Sequence, residues 1–112
     1  MFKIVAALVP HSHFGGEKQR IAVARVCYHS PVFALLDEAT SAVSVDVESD
    51  LYRHMKSQGI SLITVSHRMH LLKHHEFVLK FNGHGTWSFD RIDLAEIPRY
   101  QSYSNFLKLG GA

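Results

Sequence analysis

The order of apolar and polar positions along this chain predicts an α/β fold. Residues 15 to 29 read as a helix, nearly all apolar beyond Arg20, as expected of a helix packed against a sheet, and Pro31 ends it. Val32 to Leu36 is a short apolar run, consistent with a strand buried on both faces. Ser44 or Asp46 can cap a second helix, with Asp46 and Glu48 near its positive end. Val47, Leu51 and Met55 recur every four residues and predict its buried face, and Gly59 stops it. Ile60 to Val65 predicts a second buried strand, and a short helix follows near Met69 to His74. Phe77-Val-Leu-Lys-Phe81 and Thr86-Trp-Ser-Phe89 flank Asn82-Gly83, a hairpin signal. Residues 93 to 112 show no clean period and read as a loose tail with room for a helical turn.

Composition narrows the function classes. The 112 residues make at most one small domain, and 46% apolar content is enough for a core. A net charge of +2 without a dense Lys/Arg cluster gives no reason to propose nucleic acid as a partner. The single cysteine, Cys27, permits no internal disulfide and falls in an apolar helix, where a buried small hydrophobe is expected rather than a nucleophile. The amino-terminal run Ile4 to Val9 is far too short to span a membrane. With one lysine and no clear cleavage site it is also a poor signal peptide, so any membrane contact is expected through a partner. Nine histidines invite a metal hypothesis, since His70 and His74 would share a helical face beside His75. No Cys or acidic residue stands at a supporting spacing, and a structural zinc usually needs four ligands. Exposed polar positions on a surface helix are the expectation there.

Candidate chemistry concentrates at Phe33-Ala-Leu-Leu-Asp-Glu-Ala-Thr40, an apolar run ending in two adjacent carboxylates. Ionised carboxylates strongly prefer water unless a cation or hydrogen-bonding partner compensates them. In nucleotide hydrolases the first carboxylate helps to hold Mg²⁺ and the second orients or deprotonates the attacking water. On these residues alone, a strand ending in a solvated Asp-Glu turn explains the pattern equally well. His67 likewise follows an apolar run, and neighbouring parallel strands bring their carboxyl ends together where ligands sit. Taken alone, a single histidine after a strand is more often structural.

The neighbouring motifs tip the balance. Gly15-Gly-Glu-Lys-Gln-Arg20 lies upstream, Ser41-Ala-Val-Ser44 follows the carboxylates, and Ile60-Ser-Leu-Ile-Thr-Val-Ser-His67 closes the set. In this order the chain resembles the ATP-binding cassette ATPases from about residue 13 to residue 92. Gly15 to Arg20 is similar to the signature motif, Phe33 to Glu38 to the magnesium-site strand, Ser41 to Ser44 to the D-loop, and His67 to the switch histidine. Four motifs in order over about 55 residues are a far more specific signal than any one of them. The narrower likeness is to subfamily D, the peroxisomal half-transporters for very-long-chain acyl-CoA. It rests on the signature, on Thr40-Ser-Ala-Val-Ser-Val-Asp-Val-Glu48 and on Phe81-Asn-Gly-His-Gly-Thr-Trp87. A lysosomal cobalamin-related branch resembles Glu48 to Arg53 about as well, which leaves the substrate open.

The resemblance implies a partial P-loop NTPase (RecA-like) fold, a parallel sheet with flanking helices and a carboxyl-terminal hairpin. It divides the chain into an unassigned segment 1–12, a partial ATPase domain 13–92 and the tail 93–112. The implied ligands are ATP and Mg²⁺, with Asp37 near the metal, Glu38 and His67 catalytic, and Gly15, Gly16 and Glu17 facing ATP held by an opposing subunit. The implied partner is a second nucleotide-binding domain or transporter subunit, at the cytosolic side of the peroxisomal membrane.

Two departures bear on activity. The sequence contains no G-x-x-x-x-G-K-[ST] phosphate loop and no upstream glutamine loop, so only half of an ATP site is encoded in it. A full cassette is roughly twice as long, so the chain corresponds by resemblance to a piece of one. His13-Phe14-Gly15-Gly16 stands where the family reads Leu-Ser-Gly-Gly, and Phe14 cannot donate the hydroxyl bond that serine would give the γ-phosphate. Ser44 replaces the D-loop's common acidic residue, a feature that subfamily D shares. A catalytically inactive truncated cassette or interaction module is the alternative. Without the strand that leads into the phosphate loop, Val32 to Leu36 is expected to present an unpaired apolar edge.

Overall fold

The computed structural model describes residues 4–6 and 15–96, with side chains from Gly15 to Ala95. The chain divides into two compact units, Met1–Val65 and Ser66–Ala112. In the first, the elements run β1 (Ile4–Ala6), α1 (Gly15–His29), β2 (Phe33–Asp37), α2 (Val45–Ser57) and β3 (Ser61–Val65). The strands form one parallel sheet in the order β1-β2-β3, with Ile4 beside Phe33 and Phe33 beside Ser61. Crossovers between parallel neighbours are right-handed, so two in the same direction bring α1 and α2 to one face. The core lies there: Ala34 and Leu36 from β2, Val23 and Val26 from α1, and Tyr52 and Met55 from α2 are all buried.

Two expectations change. The strands are buried on one face rather than two, because Phe33, Leu35, Ile63 and Val65 on the other remain 36–54% exposed. Both crossovers deliver their helices to the same side, and the side chains on the opposite face stay partly exposed. The expected bare edge of β2 is also paired, since the apolar amino terminus supplies β1 along Phe33 to Leu35. Three backbone positions of an otherwise unassigned segment thus extend the sheet.

Local sequence explains the helix ends. Ser30 adopts a left-handed φ of 44° after α1, its N–H donates to the Val26 carbonyl at 2.9 Å, and Pro31 prevents continuation. Ser44 caps α2, accepting from the Val47 N–H at 3.4 Å. At the other end Gly59 takes a φ of 77°, and the N–H groups of Gly59 and Ile60 return to the carbonyls of Lys56 and Met55. The buried face of α2 is rotated from the predicted stripe. Glu48, Ser49, Tyr52 and Met55 are buried, whereas Val47 and Leu51 are half-buried. Hydrogen-bonding partners across the core, described below, draw the polar side chains inward.

In the second unit, Met69–His74 forms a 3-10 helix, and β4 (Phe77–Phe81) pairs antiparallel with β5 (Trp87–Arg91). The connection runs from Asn82 to Thr86 rather than through a two-residue turn. The Asn82 carboxamide oxygen accepts from the N–H groups of His84 and Thr86, and Gly83 and Gly85 take positive φ. Phe77, Leu79, Phe81, Trp87 and Phe89 share one exposed face of this hairpin, where Phe77 stacks on Phe89 with centroids 5.3 Å apart. Of the expected tail, Leu94–Glu96 forms a helical turn, and residues 97–112 lie outside the described residues. No helix among the described residues is long and apolar enough to cross a membrane.

Candidate functional site

Strand β2 delivers Asp37 to its carboxyl end, in register with Val65 and on the exposed face of the sheet. Glu38 follows, half-buried, with a φ of 48°. That left-handed conformation costs a residue with a Cβ about 1–2 kcal/mol, so its surroundings must impose it. Both peptide groups of Glu38 are tied to distant parts of the chain. Its N–H donates to the Val65 carbonyl at 2.9 Å, and its carbonyl accepts from Gln19 Nε2 at 3.2 Å.

Gln19 is the hub of this turn. Its side chain is buried in the first unit, on the same face of α1 as Val23 and Val26. Besides Glu38, Nε2 donates to Ser41 Oγ at 3.0 Å, and Oε1 accepts from the Ala42 N–H at 2.7 Å. A backbone N–H can only donate, which fixes the orientation of the carboxamide. The first turn of α1 presses on the same loop. A Cβ at Gly15 would meet Ala42 Cβ at 3.0 Å, and one at Gly16 would meet the Ala42 carbonyl oxygen at 3.0 Å. The two glycines therefore serve close packing of helix on loop, whatever else their N–H groups do. Glu17 is exposed at the start of α1.

Behind the turn is a buried polar cluster. Thr40 Oγ1 donates to Glu48 Oε2 at 2.5 Å, and both residues are buried. The Tyr52 hydroxyl shares a hydrogen bond with Thr64 Oγ1 at 3.1 Å, joining α2 to β3. Burial pushes the Tyr52 phenol above its ordinary range, the charges of Glu48 and Glu38 add to this, and bonds to Thr64 and Thr40 oppose it. Each polar group is satisfied within the core rather than facing solvent.

The structure brings together most of the residues that the sequence singles out. Gly15, Gly16, Asp37, Glu38 and the loop Ser41, Ala42, Val43 and Ser44 converge in the first unit. His67 lies in the second unit, exposed, two residues after β3 ends. His13 and Phe14 lie outside the described residues. Cys27 is half-buried, and desolvation raises its thiol pKa, which disfavours the nucleophilic thiolate. In the sequence Gln19, Thr40, Glu48 and Tyr52 stand out only as members of longer motif stretches, and Glu48 as a charge near the start of α2, not as a buried polar group. The signal was present for two of them: Gln19 and Glu48 are polar residues at i, i+4, i+7 spacing with the buried residues of their helices.

Comparison with known proteins gives this arrangement a lineage. The chain is 59% identical over 78 residues to the ATP-binding cassette sub-family D member 3 of Rattus norvegicus, covering 70% of the chain and 12% of the relative. It is 51% identical over 90 residues to the ATP-binding cassette sub-family D member 1 of Drosophila melanogaster, covering 80% of the chain and 12% of the relative. The chain belongs to subfamily D of the ATP-binding cassette transporters. A lysosomal cobalamin transporter of Mus musculus is 47% identical over 79 residues, 70% of the chain and 13% of that protein. No family model matches. The chain therefore spans about an eighth of the length of these curated relatives, a segment of subfamily D rather than the span of a whole transporter.

Proposed function

We propose that residues 13–92 are the signature-and-carboxylate half of an ATP-hydrolysing site in a transporter's nucleotide-binding domain, on a partial P-loop NTPase (RecA-like) fold. The observation that carries this reading is the joining of Asp37 and Glu38, at the end of a parallel strand, to the glycine-led start of α1 through the 38–42 turn. Ligands of open parallel sheets sit at the carboxyl ends of the strands, and helix N-termini favour anions.

Magnesium takes one or two carboxylates together with substrate phosphates and keeps several waters. Asp37, exposed at the strand end, fits that modest requirement. Among the described residues there is no cluster of three or more His, Cys, Asp or Glu able to hold a metal alone, so nucleotide and metal would arrive together. The bound ion would neutralise charge on the phosphates. Glu38 would orient and polarise the attacking water, and His67, which follows β3 as Glu38 follows β2, would contact the γ-phosphate. A second nucleotide-binding domain would complete the site and face Gly15, Gly16 and Glu17. Transport of fatty acyl-CoA across the peroxisomal membrane, with this segment on the cytosolic side, is the role that the subfamily supports. The relative named as a lysosomal cobalamin transporter keeps cobalamin as the competing cargo and the lysosome as the competing membrane. Phe14, which stands where the family has serine, supports a second reading, an inactive interaction module.

The test supplies the missing half by fusing the upstream part of a subfamily D cassette to residue 13. Glu38→Gln in that chimera should lower turnover by about 10²–10⁴-fold while leaving ATP binding intact, because the amide keeps the shape but can neither take a proton nor carry charge. Full activity in this variant would remove Glu38 from its role. Phe14→Ser should raise turnover, since one oxyanion donor is typically worth about 2.7–4 kcal/mol. The chain by itself should bind Mg-ATP at millimolar strength or worse, less than about 4 kcal/mol, and micromolar affinity by calorimetry would contradict the half-site reading.

A further inference from the structure

We infer that Gln19 is the positioning residue for Glu38, holding that residue in its left-handed conformation and binding the signature helix to the 38–42 turn as one body. This rests on the reading of Glu38 as the group that orients water. A residue with a Cβ has no intrinsic reason to adopt a φ of 48°, and the direction of its side chain changes if it relaxes. Three hydrogen bonds hold the peptide groups on either side of Glu38, and only one of them, from the Ser41 N–H at 3.4 Å, is local to the turn. The one to Val65 comes from the adjacent strand, and the one from Gln19 comes from α1. Gln19 alone also reaches forward, to Ser41 Oγ and the Ala42 N–H, so it spans the turn from its first residue to its fifth. Both hydrogens of its NH₂ group and its carboxamide oxygen are engaged, and the side chain is only 5% exposed. The start of α1 also lies close to the turn, since a Cβ at Gly15 or Gly16 would stand 3.0 Å from Ala42. Movement at the start of α1 is thereby passed to the backbone of Glu38 without a flexible link.

The test uses the full 112-residue chain, labelled with ¹³C and ¹⁵N, and two variants at one position. Gln19→Glu is isosteric: it keeps an acceptor for Ala42 but loses both donors. Gln19→Met keeps the length and loses every hydrogen bond. In both variants the Glu38 Cα and Cβ shifts should leave the values of a left-handed residue, while those of Val45–Ser57 stay in place. Amide exchange at Ala42 should accelerate by about tenfold in Gln19→Met, and remain near its original rate in Gln19→Glu. This split is one that general loosening of the core would not produce. Retention of the left-handed shifts in both variants would overturn the proposal and leave the Val65 and Ser41 bonds as the determinants. Should either variant fail to fold, adding Glu38→Gly decides the matter, because glycine takes positive φ without help. Refolding of the double variant supports the proposal, and continued unfolding overturns it. No nucleotide enters these measurements. Their failure would leave the role of Glu38 toward water standing, and that role fails only on turnover in the chimera.

Discussion

The core behind the Glu38 turn and the carboxyl-terminal hairpin invert the usual rule of burial in opposite ways. In the first, Gln19, Thr40 and Glu48 are at most 5% exposed. In the second, Phe81 and Trp87 are 63% and 67% exposed. Side-chain class does not account for either. Glutamine, threonine and glutamate are buried where each finds a partner at 2.5–3.2 Å, so little of the usual cost of desolvation remains. The hairpin aromatics alternate correctly for a buried face, yet a two-stranded ribbon has no second layer of its own to cover them. Polarity thus sets what a residue requires of its neighbours, and topology decides whether they are present.

This contrast predicts a steep ranking of substitutions. Glu48→Ala should be the most damaging, since it opens a cavity and removes the charged acceptor of the buried Thr40 hydroxyl. A loss of about 3 kcal/mol in urea unfolding is expected, and a loss under about 1 kcal/mol would mean that the cluster contributes little net stability. Tyr52→Phe removes the neutral hydrogen bonds of the phenol hydroxyl to Thr64 and Thr40 and should cost about 1–2 kcal/mol near neutral pH.

The same residue gives a pH signature. The folded state raises the Tyr52 pKa above its ordinary value near 10, so the folded chain holds that proton more tightly than the unfolded chain does. Its contribution is fully present below pH 10 and is lost as pH rises toward the folded value. Melting temperature should therefore fall above pH 10 more steeply in the native chain than in Tyr52→Phe, and parallel curves would contradict this.

In the hairpin, Phe77→Ala breaks the stacked pair with Phe89 and should cost about 0.5–1.5 kcal/mol, visible as loss of β4–β5 amide protection. Trp87→Ser, which removes the largest side chain on the exposed face, should change stability by no more than about 0.5 kcal/mol. A large loss there would show that this face is covered in solution. The comparison with the first unit would then lose its force.

Much of this could be read from the residues in order. Periodicity, Pro31, Ser44 and Gly59 place α1, α2 and the strands to within a residue or two, because each is a local signal acting on its own backbone. The paired carboxylates and the glycine-led helix were legible for the same reason, since motif order survives without knowledge of contacts. The pairing of Ile4–Ala6 with β2, the open face of the sheet and the inward rotation of α2 were not legible. Each depends on what lies opposite, and a strand or stripe carries no record of its partner. The hold of Gln19 on Glu38 joins positions 19 residues apart, and Val65 reaches the same peptide from the next strand. The sequence determined that two carboxylates follow the apolar run of β2 and that two glycines open α1. Only the tertiary structure decided the backbone conformation in which Glu38 is held, because a left-handed φ on a residue with a Cβ persists only where distant groups impose it.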